Sequence, residues 1–241
     1  MSKLLSIIIP VMNNYIYTYY VLTNFKNLDS DKYEIIIVDN GSNDGTQNKI
    51  KEYLDSMTNL KYIRNDTNLG FGFACNQGYS ISDSLVVMFL NNDIKISNKN
   101  YEWLDTFTTV VLNSKEPTLF GPTGGLVDPK NNYNFAYETN NPNDKINYMS
   151  GWCLTAKKEV WNTLVLNDQH GPFDAKTFFV YYEDTDCSLR AQKLNIKFVI
   201  YPLPIVHIGK QTSKLINTSK LYLQSKEKFM KKWVNAHKVK N

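Results

Sequence analysis

Cysteine is scarce in this chain: three in 241 residues, Cys75, Cys153 and Cys187, far apart and without CxxC spacing. That excludes a disulfide framework and a closed zinc site, and it fits a reducing compartment. Long apolar runs are missing as well. No segment approaches the ~18 consecutive apolar residues a membrane-spanning helix needs. The opening MSKLLSIIIPV has only Lys3 ahead of a short apolar run and no small-residue cleavage site behind it, so no signal peptide is expected. The expectation is a cytoplasmic, soluble protein. There is no GKS/T phosphate loop, no GxSxG elbow and no paired Cys/His, which removes the chemistries those patterns serve. Charge excess is small, 27 Lys+Arg against 23 Asp+Glu, a formal +4. It neither demands nor excludes an acidic partner; a nucleotide phosphate suits it, and no nucleic acid is expected.

What is present is an ordinary globular composition, 42% hydrophobic and 21% charged, long enough for one sizeable domain or two small ones. The first half alternates apolar runs with helical stretches. LLSIIIPV, YEIIIVDNGS, LKYIRN and SLVVMFLNND read as strands; helices are expected from about Tyr15 to Leu28, Asp44 to Met57, Phe71 to Ser82 and Lys99 to Asn113. Strands with little polar alternation are buried on both faces, and spacing by helices implies right-handed parallel crossovers. The second half is less regular. A strand, a Gly-rich turn and a polar hairpin or loop are read in PTLFGPTGGLVDPKNNYNF, and a strand entering a helix in NYMSGWCLTAKKEVWNTL. KFVIYPLPIVHIGK reads as a strand pair broken by Pro202 and Pro204. The domain is expected to run over residues 1–212, with a basic helical extension over 213–241 whose apolar positions are Leu215, Leu221, Tyr222, Phe229 and Trp233.

The strand endings carry the first chemical signal. The first stops at Pro10, the second at Asp39-Asn40, the third at Asn65-Asp66 and the fourth at Asn91-Asn92-Asp93. Turns use Asn and Asp for backbone reasons alone. In a parallel sheet, however, all carboxyl ends share one edge, where ligands bind near the reversal of strand order. A second signal is YYEDTDCSLR. Asp186 and Arg190 make an i,i+4 pair that needs no function to explain it. Glu183 and Asp184 follow an aromatic run, where desolvation raises a carboxylate's proton affinity toward that of a general base. His207, in PIVHIGK, ends another apolar stretch and suits, with Asp93, an oxygen-rich Mg²⁺ or Mn²⁺ site.

These segments, taken in order as SIIIPV, IIIVDNGSNDGT, NLGFGFACNQG, VMFLNNDI, MSGWCLTAKKEVW, GPFDAKTFFVYYEDTDCSLR and PIVHIG, resemble the family 2 glycosyltransferases of the GT-A fold, and their rhamnosyltransferase-like branch in particular. The resemblance implies an α/β fold with a mostly parallel central sheet. It implies an inverting transfer of a hexosyl or rhamnosyl group from a UDP- or dTDP-sugar to a glycan or lipid-linked acceptor, with Mg²⁺ or Mn²⁺. Asp39 would hold the base or ribose, with Pro10 and Asn68 lining that pocket and Asn92 offering an amide. Asn91 stands where the family has the first acid of its DxD motif, which leaves Asp93 to bind the metal, with His207 as a further ligand. Asp184 falls at the catalytic base, Glu183 is its close competitor, and Gly151 and Trp152 would border sugar and acceptor.

Two other readings compete: a sugar nucleotidyltransferase, which needs a Gly-rich loop after the first strand that is absent here, and a non-catalytic sugar- or nucleotide-binding module. Lys226, Lys228, Lys231 and Lys232 of the tail either rest on an anionic membrane or form the solvated face of a helix docked through Phe229 and Trp233.

Overall fold

The computed structural model describes residues 2–209 and 218–235. The first half follows the expected alternation: β1 (Lys3–Val11), α1 (Tyr15–Phe25), β2 (Tyr33–Asn40), α2 (Thr46–Leu54), β3 (Leu60–Asn65), α3 (Phe71–Ile81), β4 (Ser84–Leu90), a short β5 (Ile94–Ile96) and α4 (Glu102–Leu112). Each of the four helices ends one to three residues before the expected position, and α2 and α4 also begin later. The second half contributes β6 (Thr118–Gly121), β7 (Gly124–Asp128), β8 (Asn134–Thr139), β9 (Tyr148–Met149), β10 (Cys153–Lys157), α5 (Lys158–Leu164), α6 (Glu183–Lys193), β11 (Lys197–Ile200) and β12 (Ile205–His207). The last element of the described residues is α7 (Thr218–Phe229), which continues as a wider π-type turn over Met230–Asn235.

Seven strands form the central sheet in the order β11-β6-β10-β4-β1-β2-β3. β4, β1, β2 and β3 run parallel, as do β11 and β6, while β10 is antiparallel to both its neighbours. Burial explains the apolar runs: all eight residues of β2 are buried. Successive residues serve opposite faces. Ile7, Ile9, Ile35, Ile37, Met88 and Leu90 pack toward one layer with Leu22, Phe25 and Phe107, whereas Ile8, Ile36, Val87 and Phe89 pack toward the other with Cys75, Trp161 and Cys187. All three cysteines are free and buried. Strand order reverses between β1 and β4, so the chain just beyond Val11 and Leu90 borders the crevice where α/β sheets place ligands.

One reading of the second half needs correction. KFVI and PIVH do not pair with each other. β11 joins the edge of the main sheet beside β6, while β12 runs antiparallel to β5 in a separate ladder. Pro202 and Pro204 lie between them, where a residue without an N–H ends one ladder and redirects the chain. The polar hairpin is a sheet of its own, ordered β8-β7-β9.

The expected boundary at residues 212 and 213 and the apolar position Leu215 lie outside the described residues. The part of the tail that is described docks on the body. Phe229 and Trp233 are buried with Phe178, Tyr182, Leu189 and Val127.

Candidate active site

A cleft of about 1380 Å³ opens along the carboxyl edge of β1 and β4. Pro10, Asn68, Asn92, Asp93, Gly151, Trp152, Glu183, Asp184 and His207 all line it. Asp39 alone of the expected site residues does not line the cleft.

Asp93 follows the end of β4, and the β5–β12 ladder carries His207 back to it by pairing His207 with Ile94. His207 Nε2 lies 3.0 Å from Asp93 Oδ1 and 3.2 Å from Asn91 Nδ2. The ring of Trp152 lies over the imidazole with centroids 5.1 Å apart and planes 6° apart. Asn91 Oδ1 is buried without a hydrogen-bond partner, and an orphaned oxygen of this kind calls for an absent donor or cation. Carboxylate, amide oxygen and imidazole are a donor set that a hard divalent cation accepts. Among the described residues no cluster of three acidic, His or Cys side chains could form a closed metal cage, so such an ion would complete its shell with ligand oxygens and water. The sequence reading gave Asn91 no part in holding a metal, because sequence shows an amide at a turn but not the loss of its partner. Asn92 is tied down instead: its Nδ2 donates to Thr18 Oγ1 on α1 at 3.0 Å.

The side of the cleft beside Asn68 is built on a ladder of amides. Asn68 Oδ1 accepts from Asn40 Nδ2 at 2.8 Å and from the Gly70 amide at 2.9 Å. Asn40 Oδ1 accepts in turn from Asn65 Nδ2 and the Leu69 amide, both at 3.0 Å. This fixes the loop that enters α3. Gly70, at φ 97°, closes it: a Cβ there would stand 2.4 Å from the Phe179 carbonyl oxygen. That carbonyl accepts the Phe71 N–H at 3.1 Å, locking α3 against the segment that leads to α6. Asp39 sits behind this wall, 0% exposed. Its Oδ1 accepts the Ser42 amide at 2.8 Å, and its Oδ2 accepts Tyr62 Oη at 2.8 Å and Arg64 Nη1. A base reaching this carboxylate has to displace Arg64 or Tyr62.

Across the cleft, α6 begins with Glu183 and Asp184. The residues before it are strained: Tyr181 and Tyr182 have φ of 68° and 70°, a left-handed region that bulky side chains rarely enter and that costs about 1–3 kcal/mol each. Packing over-determines the turn. Tyr182 is sandwiched near Phe229, 4.7 Å between centroids, and its hydroxyl donates to Tyr222 Oη at 3.0 Å. Tyr181 faces the cleft.

Asp184 Oδ2 accepts the Gly151 amide at 2.9 Å, and Oδ1 accepts the Thr185 amide at 2.7 Å. Gly151 is required by this approach, because a Cβ would stand 2.9 Å from Asp184 Cβ. Burial raises the Asp184 carboxyl above its ordinary value, with the Gly151 and Thr185 amides partly offsetting it. Glu183 is 7% exposed and its Oε2 has no partner. Burial, with the Asp184 charge beside it, pushes Glu183 up to about 8, so at neutral pH it holds its proton while Asp184 is the more available acceptor. Asp186 has the structural role expected of it, and more. Fully buried, it accepts from Arg190 Nε at 2.9 Å and Trp233 Nε1 at 2.8 Å, and Lys232 Nζ lies 2.7 Å away. One acidic turn therefore faces the cleft with Asp184 and clasps the tail with Asp186.

Comparison with known proteins bears on this geometry. Residues 6–104 match the model of Glycosyl transferase family 2. The chain is 30% identical over 102 residues to Glycosyltransferase AglE of Haloferax volcanii, covering 42% of this chain and 33% of that protein. It is similar in structure to S. aureus TarS solved with UDP, with a TM-score of 0.60, 19% identity, and coverage of 83% of this chain and 58% of that one. Against the mannosyltransferase PcManGT of Pyrobaculum calidifontis, solved with GDP-Man and Mn²⁺, the TM-score is 0.57 at 15% identity, over 84% and 57% of the two chains. The chain thus spans a third of the curated relative and somewhat over half of these solved ones. At such identities the structural likeness establishes the fold, the GT-A fold expected from the sequence.

Proposed function

We propose, from the match of residues 6–104 to the model of Glycosyl transferase family 2, that the chain is an inverting transferase moving a sugar from a nucleotide-diphosphate donor to an acceptor hydroxyl. The observation that carries the reading is the meeting of Asp93 and Asp184, far apart in sequence, on one cleft at the strand-order reversal. Among the described residues lining that cleft there is no Lys or Arg. A diphosphate held there needs another source of positive charge, which favours a divalent cation, Mg²⁺ or Mn²⁺, at Asp93, His207 and Asn91. When bound, such an ion supplies charge neutralisation for the departing diphosphate.

The chain's own residues do the rest. Pro10 and Asn68 border the nucleotide, and Asp39 receives the base or ribose once Arg64 or Tyr62 yields. Gly151 and Trp152 border the sugar. The acceptor oxygen bonds to the anomeric carbon on the face opposite the diphosphate, the bond from that carbon to the phosphate oxygen breaks, and a carboxylate oxygen of Asp184 takes the hydroxyl proton. Holding both substrates in line removes much of the entropic barrier. Glu183, protonated at neutral pH, is not the base; it limits the negative charge beside Asp184. We assign residues 1–212 to the transferase domain and 213–241 to its helical extension. Lys228 Nζ bonds the Thr177 carbonyl at 2.9 Å, and Lys232 bonds Asp174, which supports docking of that helix on the body over contact with a membrane.

The donor class is tested with UDP-, dTDP- and GDP-sugars, each scored for release of nucleoside diphosphate with Mg²⁺, with Mn²⁺ and with a chelator. Metal-dependent release from at least one is expected. Failure to bind or cleave any of them, with or without metal, removes the transferase reading.

A further inference from the structure

The wall of the cleft beyond Asp184 is made by elements outside the family match. β8 brings Glu138, with Asn140 just beyond it; the strained turn before α6 brings Tyr181; and α7 brings Ser219, Tyr222 and Leu223. Tyr181 and Tyr222 stand edge to face, with centroids 5.7 Å apart at 76°. Both rings are half-buried, so each keeps a surface to offer. Glu138 is exposed toward the cleft, and its charge adds to the influences that raise Asp184. The orphaned Glu183 Oε2 belongs to the same cleft.

Resting on the transferase reading, we infer that Tyr181, Tyr222, Glu138 and Asn140 form the acceptor subsite, and that its occupant is a neutral sugar ring whose hydroxyl is presented to Asp184. Three features favour that chemistry. Tyrosine faces take up the apolar C–H face of a pyranose while their edges stay wet. A carboxylate and an amide satisfy adjacent hydroxyls, the carboxylate accepting and the amide doing both. The charges of Glu138 and Asp184, with no Lys or Arg among the described residues lining the cleft, repel a phosphate that would otherwise serve as the attacking group. A phosphate acceptor also needs no base, and this wall is built against one. The extension α7 is therefore part of the substrate site, through Tyr222.

The test is saturation-transfer NMR on the full chain with UDP and Mg²⁺, using methyl glycosides of glucose, galactose, mannose, N-acetylglucosamine and rhamnose, with glycerol 3-phosphate as the anionic probe. At least one neutral glycoside should bind, and glycerol 3-phosphate should not. Tyr222→Ala should weaken the glycoside about tenfold, and Tyr222→Phe should retain it. Glu138→Gln, on an exposed strand where folding is not at stake, should weaken it too. UDP affinity, titrated separately, should stay within twofold in every variant. Glycerol 3-phosphate binding in preference to all the glycosides overturns the inference, as does silence from every glycoside or unchanged affinity in Tyr222→Ala and Glu138→Gln. Loss of UDP and GDP binding by the unaltered chain would count against the transferase reading instead, which keeps the two failures apart.

Discussion

The indole of Trp152 lies flat on the imidazole of His207, planes 6° apart, while Nε2 of that imidazole lies 3.0 Å from Asp93 Oδ1. An aromatic lid of this kind fixes the plane of the imidazole and thereby the direction of its lone pair or proton. Trp152→Ala should raise the Mn²⁺ concentration needed for half-maximal turnover, with Trp152→Phe close to the parent. Asp93→Ala should cost roughly 10²-fold or more in turnover while far-UV dichroism stays native. Near-full turnover in Asp93→Ala at saturating metal would show that this carboxylate is not a ligand.

Removing the proposed proton acceptor separates binding from chemistry. Asp184→Asn keeps the side chain's size and an oxygen for the Gly151 amide, so donor affinity should be little changed while transfer falls by at least about 10²-fold. If Asp184→Asn stays active and Glu183→Gln does not, the base sits one residue earlier.

The buried proton on Glu183 makes stability depend on pH. Native Glu183 holds its proton to about 8, whereas the unfolded chain releases it near the ordinary 4.5. Below the lower value both states are protonated and the contribution is complete. Between the two the unfolded state binds fewer protons, so stability is lost as pH rises, by up to about 1.4 kcal/mol per unit. Above about 8 the slope vanishes. Urea midpoints measured from pH 5 to 9 should fall less steeply in Glu183→Gln; parallel curves would place the proton elsewhere.

Asp186 offers a stability test away from the chemistry. It is fully buried with Arg190, Lys232 and Trp233 around it, and deleting one partner of a buried pair costs about 3–5 kcal/mol because the others lose theirs. Asp186→Asn should lower unfolding stability by that order, followed by Trp233 fluorescence in urea. A change below about 1 kcal/mol would mean that water already shares the load.

Much of this was legible in the sequence for one physical reason: strands buried on both faces cannot afford polar residues, so β1, β2 and β4 read as unbroken apolar runs and their polar endings stand out. The ordering of those endings onto one rim followed from parallel crossovers. What was not legible depends on long-range placement. That β11 and β12 part company is decided by which edge each proline-flanked segment meets. The burial of Asp39 behind Tyr62 and Arg64, the loss of a partner at Asn91, and the stacking of Trp152 on His207 all arise between residues distant in the chain. The strain at Tyr181 and Tyr182 left no mark in composition, because glycine is the residue one looks for at such φ values.

The β8-β7-β9 sheet shares no ladder with the seven-stranded sheet. Its outer strand β8, exposed from Phe135 to Glu138, can therefore change sequence with little mechanical consequence for the strands that carry Asp93. On the proposed reading, divergence in what receives the sugar accumulates on that outer strand, while β9, pinned to α6 through Met149 and Ser188, stays constant, so descendants of one ancestral chain acquire new recipients without relearning the reaction.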